Sequence, residues 1–576
     1  MTLNQIKSFP SSVFDMVDQY ARSLMQTGRY PGLAVGLTDR QQLLWTGAYG
    51  FADLAARLSI TPETLFETGS IGKSFTSLAL FQLQDEGRLD IHHPVTRYLP
   101  WFQVQSKFNP IEIFHLLTHT AGIVGGSDFS PESFMETWAL RNTRAGCAPG
   151  EFFHYSNAGY KALGLLLEAV TGQSYEHAIR TRILDPLGMN ATAAAITHDT
   201  RRRMATGYCP FYDDRPDDHR SGFVPATWFE TATGDGCLAS NVIDMAAYLR
   251  LYLNGGSGLV SAASFKRMTQ GVILAESEDN MFYGCGIASL EKDGHLYLGH
   301  TGGMVGYVSE IRADLTDGFG VVQLVNGLEL PEALCNYCLA LLSAARSGQS
   351  LPPPPPVPDP AHVPDAARYA GTYACRNAPS EHSVGTLRMF LSGECSCPED
   401  VLVRSGDRVI VLQAQADHLV LLHGTDTIVL EVVKPDYFLV PHRDFNRFLF
   451  HIRRGDQNAV LGISYGPDEY VRAPLPEHPG GVPVPQDVLP EFQVCTGHYR
   501  NYNPWYSNFR VVARQGVLIL IHRSGMEEDL VPLGEGVFRI GKDARLPEQI
   551  HFHTVVDGKA QVATLAGSDY FRAFTP

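Results

Sequence analysis

The sequence lacks long apolar runs, and its basic residues are outnumbered by acidic ones. No stretch approaches the ~20 apolar residues needed to span a bilayer, and the amino terminus has no basic segment followed by an apolar one. We therefore expect a cytoplasmic protein with no membrane partner. Lys plus Arg number 45 against 61 Asp plus Glu, a formal net charge of −16. This acidity disfavours nucleic acid as a partner.

Cysteine is also scarce, with 10 residues in a chain of 576. That number is too small for a disulfide scaffold, so we interpret the cysteines as reduced packing residues. Cys335 and Cys338 have the spacing of a redox pair but lie in an apolar helical stretch. His115 and His119 have the spacing of zinc ligands, but no Glu follows the first, so we favour a structural role. We predict neither a metal nor a cofactor.

The length is too great for one core and predicts two to four domains. A proline-rich segment at 351–360 cannot lie inside a helix or a central strand, and a second punctuated stretch covers 474–483. We expect a catalytic domain at 1–350 and further domains at 361–474 and 485–576.

The pattern of apolar residues changes at the first proline-rich segment. Before it, helical periodicity, as at 14–25, alternates with strand-like runs such as 33–37, which indicates an α+β domain. After it, short apolar runs separated by turn residues indicate all-β structure. This part also contains a diverged repeat, because Gly-x-Tyr at 371–373 and 497–499 opens each copy and Tyr-x-Arg-Ala at 470–473 and 570–573 closes it. Two small antiparallel β-barrels explain both copies, and one large β-sandwich is the alternative.

Ser70 and Lys73 lie where a glycine-punctuated turn passes into an apolar helical run. A spacing of three places both side chains on one helical face, and the helix amino terminus favours developing negative charge. We interpret Ser70 as an active serine. Ser289 and Lys292 share the spacing but run into a turn, so we interpret that copy as chance. Ser464 lies in a Gly-x-Ser-x-Gly pattern without the helix that a nucleophile elbow requires, which favours a strand-end turn.

A catalytic serine needs a base, a group that orients the substrate, and donors for the oxyanion. Candidates follow in order along the chain. Tyr155 and Asn157 lie in a predicted loop just before a helix, and His300, Thr301, Gly302 and Gly303 lie on a predicted strand. The order Ser-x-x-Lys, Tyr-x-Asn, His-Thr-Gly is more informative than any one of these patterns.

The block from about Tyr30 to Asn326 resembles the serine β-lactamase and penicillin-binding protein superfamily, class C branch. Besides the three motifs, the resemblance rests on these phrases: Tyr30-Pro31-Gly32-Leu33-Ala34-Val35, Arg88-Leu89-Asp90, Val95-Thr96-Arg97-Tyr98-Leu99-Pro100 and His115-Leu116-Leu117-Thr118-His119-Thr120-Ala121-Gly122-Ile123. It implies an α+β, β-lactamase/transpeptidase-like domain. D-aminopeptidases of this superfamily also resemble the chain in having two carboxy-terminal, lipocalin-like β-barrels.

The resemblance also implies roles for the motif residues. Ser70 attacks a carbonyl and carries the acyl group, and Lys73 shares the general-base role with Tyr155. Asn157 binds the substrate carbonyl side, and the N–H groups of Ser70 and Gly303 bind the oxyanion, with glycine at 303 expected to permit close backbone approach.

His300 stands where many β-lactamases carry a lysine, so a fixed positive charge for a substrate carboxylate is missing at neutral pH. Weak or absent β-lactamase activity follows. Relatives with this histidine include D-aminopeptidases, amidases and esterases. We therefore expect a peptidase or amidase acting on short peptides or small molecules, with an esterase or acyltransferase as the first alternative and a non-catalytic ligand-binding protein as the second. A homo-oligomer is left open.

Overall fold

The computed structural model of the protein describes residues 9–126, 132–277, 279–375, 409–473 and 490–573. Within these ranges the α-helices are α1 Ser11–Met25, α2 Gly72–Asp85, α3 Ile113–Leu117, α4 Ser133–Ala139, α5 Asn157–Thr171, α6 Tyr175–Ile179, α7 Asp185–Leu187, α8 His198–Arg201, α9 Val242–Leu253, α10 Ala262–Thr269, α11 Glu332–Ser347, α12 Ala366–Tyr369 and α13 Pro490–Cys495. No helix among them is long and apolar enough to cross a membrane.

The strands before the proline-rich segment are β1 Gly32–Asp39, β2 Leu43–Asp53, β3 Leu58–Ser59, β4 Phe66–Glu67, β5 Tyr208–Pro210, β6 Phe223–Pro225, β7 Ala239–Ser240, β8 Ile273–Glu276, β9 Met281–Tyr283, β10 Ala288–Lys292, β11 His295–Met304, β12 Tyr307–Asp314 and β13 Phe319–Val325. Nine of them form one antiparallel sheet in the order β3-β2-β1-β13-β12-β11-β10-β9-β8.

Helices cover both faces of this sheet. Leu33, Val35 and Leu37 of β1 pack with α1 and α11, whereas the intervening Ala34 belongs to the core formed with α2, α5 and α9. Alternate residues of β1 thus point into different cores, and both faces of the strand are apolar because both are covered. The three layers confirm the α+β fold expected for this part of the chain.

Helix α2 lies in the middle of this domain. Its residues are buried without interruption from 72 to 83, as its apolar residues on several sides predict. A buried helix has few ways to shift, so the turn that precedes it holds Ser70 in a fixed position.

The remaining strands are β14 Gly371–Cys375, β15 Val409–Gln415, β16 His418–His423, β17 Asp426–Val429, β18 Glu431–Lys434, β19 Tyr437–Leu439, β20 Phe450–Arg454, β21 Val460–Tyr465, β22 Asp468–Arg472, β23 Gly497–Arg500, β24 Asn508–Arg514, β25 Val517–His522, β26 Glu527–Gly534, β27 Val537–Ile540, β28 Gln549–Val556, β29 Lys559–Leu565 and β30 Ser568–Ala573. Strands β14–β22 form a nine-stranded sheet around one core, and β23–β30 close into a barrel around another. The prediction of two β-barrels is confirmed, and the single large β-sandwich is wrong. The 351–360 segment between the first two sheets contains no strand or helix, and we propose it as a domain boundary. The second expected boundary, 474–483, lies outside the described residues and stays a proposal.

The repeat is visible in the pairing of first and last strands. Tyr373 lies opposite Arg472 in β14 and β22, and Tyr499 lies opposite Arg572 in β23 and β30. Each tyrosine hydroxyl donates to the main-chain carbonyl four residues earlier, at 2.5 and 2.9 Å. Each arginine donates to the carbonyl three residues before its paired tyrosine. The same two residues therefore fasten the start of both barrels.

The rival motifs are structural. Ser464 is buried within β21, and Ser289 and Lys292 lie on β10, where a spacing of three points side chains to opposite faces. Cys335 and Cys338 are fully buried in α11, and burial raises the pKa of both thiols. They are packing residues, as interpreted from the sequence.

Candidate active site

Ser70 lies in a short 3₁₀ turn, Gly69–Ile71, that leads directly into α2. Lys73, one turn further on, is fully buried, and its Nζ donates a hydrogen bond to Ser70 Oγ at 3.0 Å. Its second partner is the main-chain carbonyl of Asp235, at 2.7 Å. The amine is thus fixed beside the hydroxyl, which is the geometry that activation of a serine requires.

The segment that accepts this second hydrogen bond, residues 231–237, is here named the Asp235 loop. It packs closely on the serine turn, because a Cβ placed on Gly236 would lie 2.8 Å from the Gly69 carbonyl oxygen and 3.2 Å from the Ser70 nitrogen. Thr76 of α2 also donates to the carbonyl of Gly234, at 2.6 Å. We did not predict this loop from the sequence. The local sequence does contain one signal for it: Gly234 and Gly236 flank Asp235 a few residues before α9.

Strand β11 lies on the other side of the turn. A Cβ on Gly302 would lie 1.9 Å from the carbonyl oxygen of Thr68, and a Cβ on Gly69 would lie 2.6 Å from the nitrogen of Gly303. The space around Gly303 itself is open. The expectation that glycine is needed at 303 for close approach was therefore wrong: Gly302 and Gly69 allow the two backbones to meet. The contact brings the Gly303 nitrogen next to the serine turn.

Tyr155 lies in the loop before α5, whereas Asn157, predicted in that loop, is the first residue of the helix. The Lys73 Nζ lies over the ring of Tyr155, 4.8 Å from its centroid. Ser156 between them caps α5, because its Oγ accepts a hydrogen bond from the Gly159 nitrogen at 3.0 Å. The buried His119 supports the loop: its ring lies 4.1 Å from that of Tyr155, and its Nδ1 accepts from the Ser156 nitrogen at 3.0 Å. This agrees with the structural role interpreted for His119.

His300, on β11, is a neutral hydrogen-bonding group. Its Nδ1 lies 2.5 Å from the Thr301 carbonyl oxygen, and its Nε2 lies 2.9 Å from the hydroxyl of Tyr283. A carbonyl only accepts, so Nδ1 carries the proton and Nε2 accepts from the Tyr283 hydroxyl. Burial lowers the pKa of His300 to about 4, and the charge of Lys73 adds to the decrease. Tyr283 was not predicted, since nothing in the local sequence marks it.

These residues surround one small cleft. Its lining comprises Ser70, Asn157, Lys161, Phe229, Thr231, Thr233, Asp235, Gly236, Cys237, Gly303, Met304 and Trp505, and its free volume is about 40 Å³. Such a space holds only about three or four water-sized groups. Ser70, Asn157 and Gly303 line it directly, and Lys73 contacts both Ser70 and the ring of Tyr155. Thr301 is exposed on β11, between His300 and the two glycines. All predicted site residues are therefore brought together.

Two charged or aromatic residues that line the cleft, Lys161 and Trp505, were also not predicted from the sequence. Lys161, one helical turn after Asn157, forms a buried ion pair with Glu136 of α4. Trp505 comes from the second barrel, in the loop between β23 and β24. No local pattern connects either residue to the serine, because both reach the cleft only through packing of distant elements.

Polar contacts fix the second barrel against the catalytic domain. Arg500, at the end of β23, forms an ion pair with Asp213 at 2.5 Å. On another side, the Glu548 carboxylate accepts from the Gly125 nitrogen at 2.8 Å and lies 2.7 Å from His154 Nε2. The contacts to His154 and Gly125 flank the Tyr155 loop, so the barrel contacts two sides of the site.

The fold and the match of the catalytic-type motifs together place the chain in the β-lactamase and penicillin-binding protein superfamily. Residues 17–342 match the protein family described as Beta-lactamase. The chain belongs to the beta-lactamase family.

Relatives and a solved structure agree with this assignment. The chain is similar to Protein flp of Staphylococcus aureus (strain N315), with 26% identity over 54% of this chain and 62% of that protein. It is also similar to the Teichoic acid D-alanine hydrolase of Staphylococcus aureus, with 27% identity over 36% of this chain and 50% of that protein. The chain thus spans less than two thirds of the length of these curated relatives.

The fold is similar to the structure of an octameric penicillin-binding protein homologue from Pyrococcus abyssi. The TM-score is 0.55 and the identity 24%, over 80% of this chain and 100% of that chain. At this identity the likeness shows the fold, including its extension beyond the catalytic domain.

Proposed function

We propose that the protein is a hydrolase that forms an acyl intermediate on Ser70 and cleaves small amides or short peptides, as D-aminopeptidases do. The observation that carries the proposal is the hydrogen bond between the buried Lys73 Nζ and Ser70 Oγ, at 3.0 Å. In its neutral form, a lysine placed this way accepts the hydroxyl proton as the serine attacks. Ser70 lines the cleft directly, so a substrate bound there can reach the serine.

Each step has a candidate group. Ser70 Oγ bonds to the carbonyl carbon while its proton passes to Lys73, with Tyr155 sharing the role. The oxyanion is held by the Ser70 and Gly303 N–H groups, and one such donor is worth roughly 3 kcal/mol. The proton then passes to the leaving amine as the carbon–nitrogen bond breaks. Water discharges the acyl group by the same route in reverse. Asn157 binds the substrate beside the carbonyl.

The size of the cleft supports a small acyl group. Trp505 lines it from the second barrel, and this supports the further proposal that a barrel loop caps the site and restricts substrate size. A neutral His300 offers no charge to a substrate carboxylate, which supports weak or absent action on β-lactams.

An esterase or acyltransferase is the second candidate. The name of one relative states that it removes D-alanine from teichoic acid, and an acyl-serine can pass its acyl group to water or to another nucleophile. A ligand-binding protein without turnover is the third candidate. For assembly, the octameric state of the archaeal homologue supports the proposal of a homo-oligomer.

The first experiment offers the full chain p-nitrophenyl esters, L- and D-aminoacyl p-nitroanilides and nitrocefin, and follows product release and intact mass. We expect anilide turnover and a transient acyl adduct, with Ser70→Ala losing roughly 10³-fold or more in kcat/KM. Ser289→Ala is the matched control, because it removes the serine of the second Ser-x-x-Lys pattern on β10.

The outcomes separate the candidates. Turnover of esters alone favours the esterase, and turnover that survives Ser70→Ala rejects the mechanism. Absence of both turnover and adduct with every substrate favours the ligand-binding protein.

A further inference from the structure

The cleft contains a carboxylate that the proposed mechanism does not use. Asp235 lines the cleft and is partly exposed. Its Oδ1 accepts a hydrogen bond from Thr233 Oγ1 at 2.5 Å, which fixes the side chain. Its main-chain carbonyl, by contrast, holds Lys73. The residue therefore joins the general-base lysine through its backbone and presents a separate acidic group through its side chain.

Within the described residues, no basic side chain forms an ion pair with the Asp235 carboxylate. The other basic groups of the cleft are already engaged. Lys161 is paired with Glu136, both side chains being almost completely buried. His300 is uncharged, since both ring nitrogens are committed to neutral partners. An ionised carboxylate in such a small site is favourable only when a cation or several donors face it.

We propose that Asp235 binds the free ammonium group of an aminoacyl substrate, so that the protein selects amides or esters of α-amino acids over those of simple carboxylic acids. This rests on the proposed function and names its substrate class. In an α-aminoacyl compound the ammonium is attached to the carbon next to the reacting carbonyl. Asp235 and Ser70 line the same small cleft, and the Asp235 main-chain carbonyl contacts the lysine that is hydrogen-bonded to Ser70, so the carboxylate belongs to a residue next to the reacting group.

The rest of the lining fits a small amino acid. Phe229, Met304 and Trp505 supply apolar surface for a short side chain, and an aromatic ring near an ammonium adds attraction. The free volume of about 40 Å³ leaves room for a group as small as that of alanine. An anionic acyl group, such as succinyl, is excluded by repulsion from the carboxylate.

A binding measurement tests this without turnover. The Ser70→Ala protein is titrated calorimetrically with L- and D-alaninamide and with propanamide, which is alaninamide without its ammonium group. We expect at least one alaninamide to bind about tenfold or more tightly than propanamide, because a charge-assisted hydrogen bond is lost with the amine. Adding Asp235→Asn should abolish the difference, whereas Asp235→Glu should retain part of it.

Asp15→Asn is the matched control, since Asp15 is exposed on α1, which packs on the other face of the central sheet. Equal binding of the alaninamides and propanamide, or a preference that persists in Asp235→Asn, would overturn the ammonium site. Catalysis is judged separately from the ratio of kcat/KM for alanyl and propionyl p-nitroanilides or esters. Turnover that depends on Ser70 but shows no preference for the alanyl compounds supports the hydrolase and rejects the role of Asp235.

Discussion

Among single residues, His300 shows how the surroundings set the charge of the site. It follows Gly299 on β11, and its two ring nitrogens contact Thr301 and Tyr283. The ring is only partly exposed, and burial lowers its pKa to about 4. His300 therefore carries no positive charge at any pH from 5 upward, which supports the proposed preference for substrates without a carboxylate.

The depressed pKa of His300 predicts a pH dependence of folding. The unfolded chain binds a proton at this residue below a pH of about 6.5, whereas the folded protein does so only near 4. The histidine therefore makes no contribution above pH 6.5, and stability is lost as the pH falls from 6.5 towards 4. We expect His300→Gln to remove this loss, which amounts to at most about 2 kcal/mol at pH 5.

The measurement is urea unfolding of wild type and His300→Gln at pH 7 and pH 5. His177→Gln is the control, because His177 is exposed on α6. The prediction fails when the difference in unfolding free energy between wild type and His300→Gln is the same at both pH values.

Among the elements, the close approach of β11 to the serine turn matters most. Gly302 is the point of contact with the Thr68 carbonyl, and Gly69, with a φ of 54°, allows the turn to face the strand. The Asp235 loop also packs on the serine turn, with Gly236 against Gly69 and Ser70. Ser70 is therefore held between two segments that are far apart in the chain, and its position depends on small residues in both.

Gly302→Ala tests this packing. An added Cβ meets backbone at 1.9 Å, so the strand must move. We expect unfolding to become easier by about 1–3 kcal/mol and acylation of Ser70 to slow by roughly 10²-fold, because small displacements of reacting groups are costly. Thermal unfolding and the rate of adduct formation measure the two effects.

Gly303→Ala is the matched comparison for stability, since the adjacent position has open space. Its melting temperature should stay close to that of wild type. Equal loss of stability in both variants would show that close approach at Gly302 does not maintain the turn.

For the whole molecule, the second barrel contributes directly to the cleft beside Ser70. Trp505 lines it, and the segment between β23 and β24 is fixed by Asp213, which accepts from Arg500 and Asn508. Tyr502, in the same segment, is fully exposed. One loop therefore has one residue turned to the cleft and another turned to solvent.

Trp505→Ala should widen the range of accepted substrates. We expect the ratio of kcat/KM for a phenylalanyl compound to that for the alanyl compound to rise by roughly tenfold or more, because the indole no longer limits the space for the side chain. Both the phenylalanyl and the alanyl compound carry the leaving group, anilide or ester, that the wild type accepts. Tyr502→Ala should leave the ratio unaltered, and an equal change in both variants would reject the cap.

Much of this arrangement could be predicted from the sequence. Ser70 and Lys73 could be predicted as a pair because helical spacing is a local property. Tyr155 and Asn157 could be predicted because their motif stands at the start of a helix and follows the serine motif in a recognisable order. The repeat was visible as well, because Tyr373 with Arg472 and Tyr499 with Arg572 perform the same task in each barrel. Gly302 and Gly303 could be placed near the site, but which of them allows the close approach could not, since that depends on where Thr68 lies.

The sequence by itself determined the superfamily, the α+β domain followed by two barrels, and the choice of Ser70 and its neighbours as the candidate site, because each is expressed in spacing, periodicity or a repeated motif. Only the tertiary structure decided that Asp235, Lys161 and Trp505 line the same cleft and that Tyr283 contacts His300. These residues come from separate loops, strands and domains, and no local pattern records that they meet. Their proximity arises from packing, which also determines the charge of His300 and the size of the space beside Ser70.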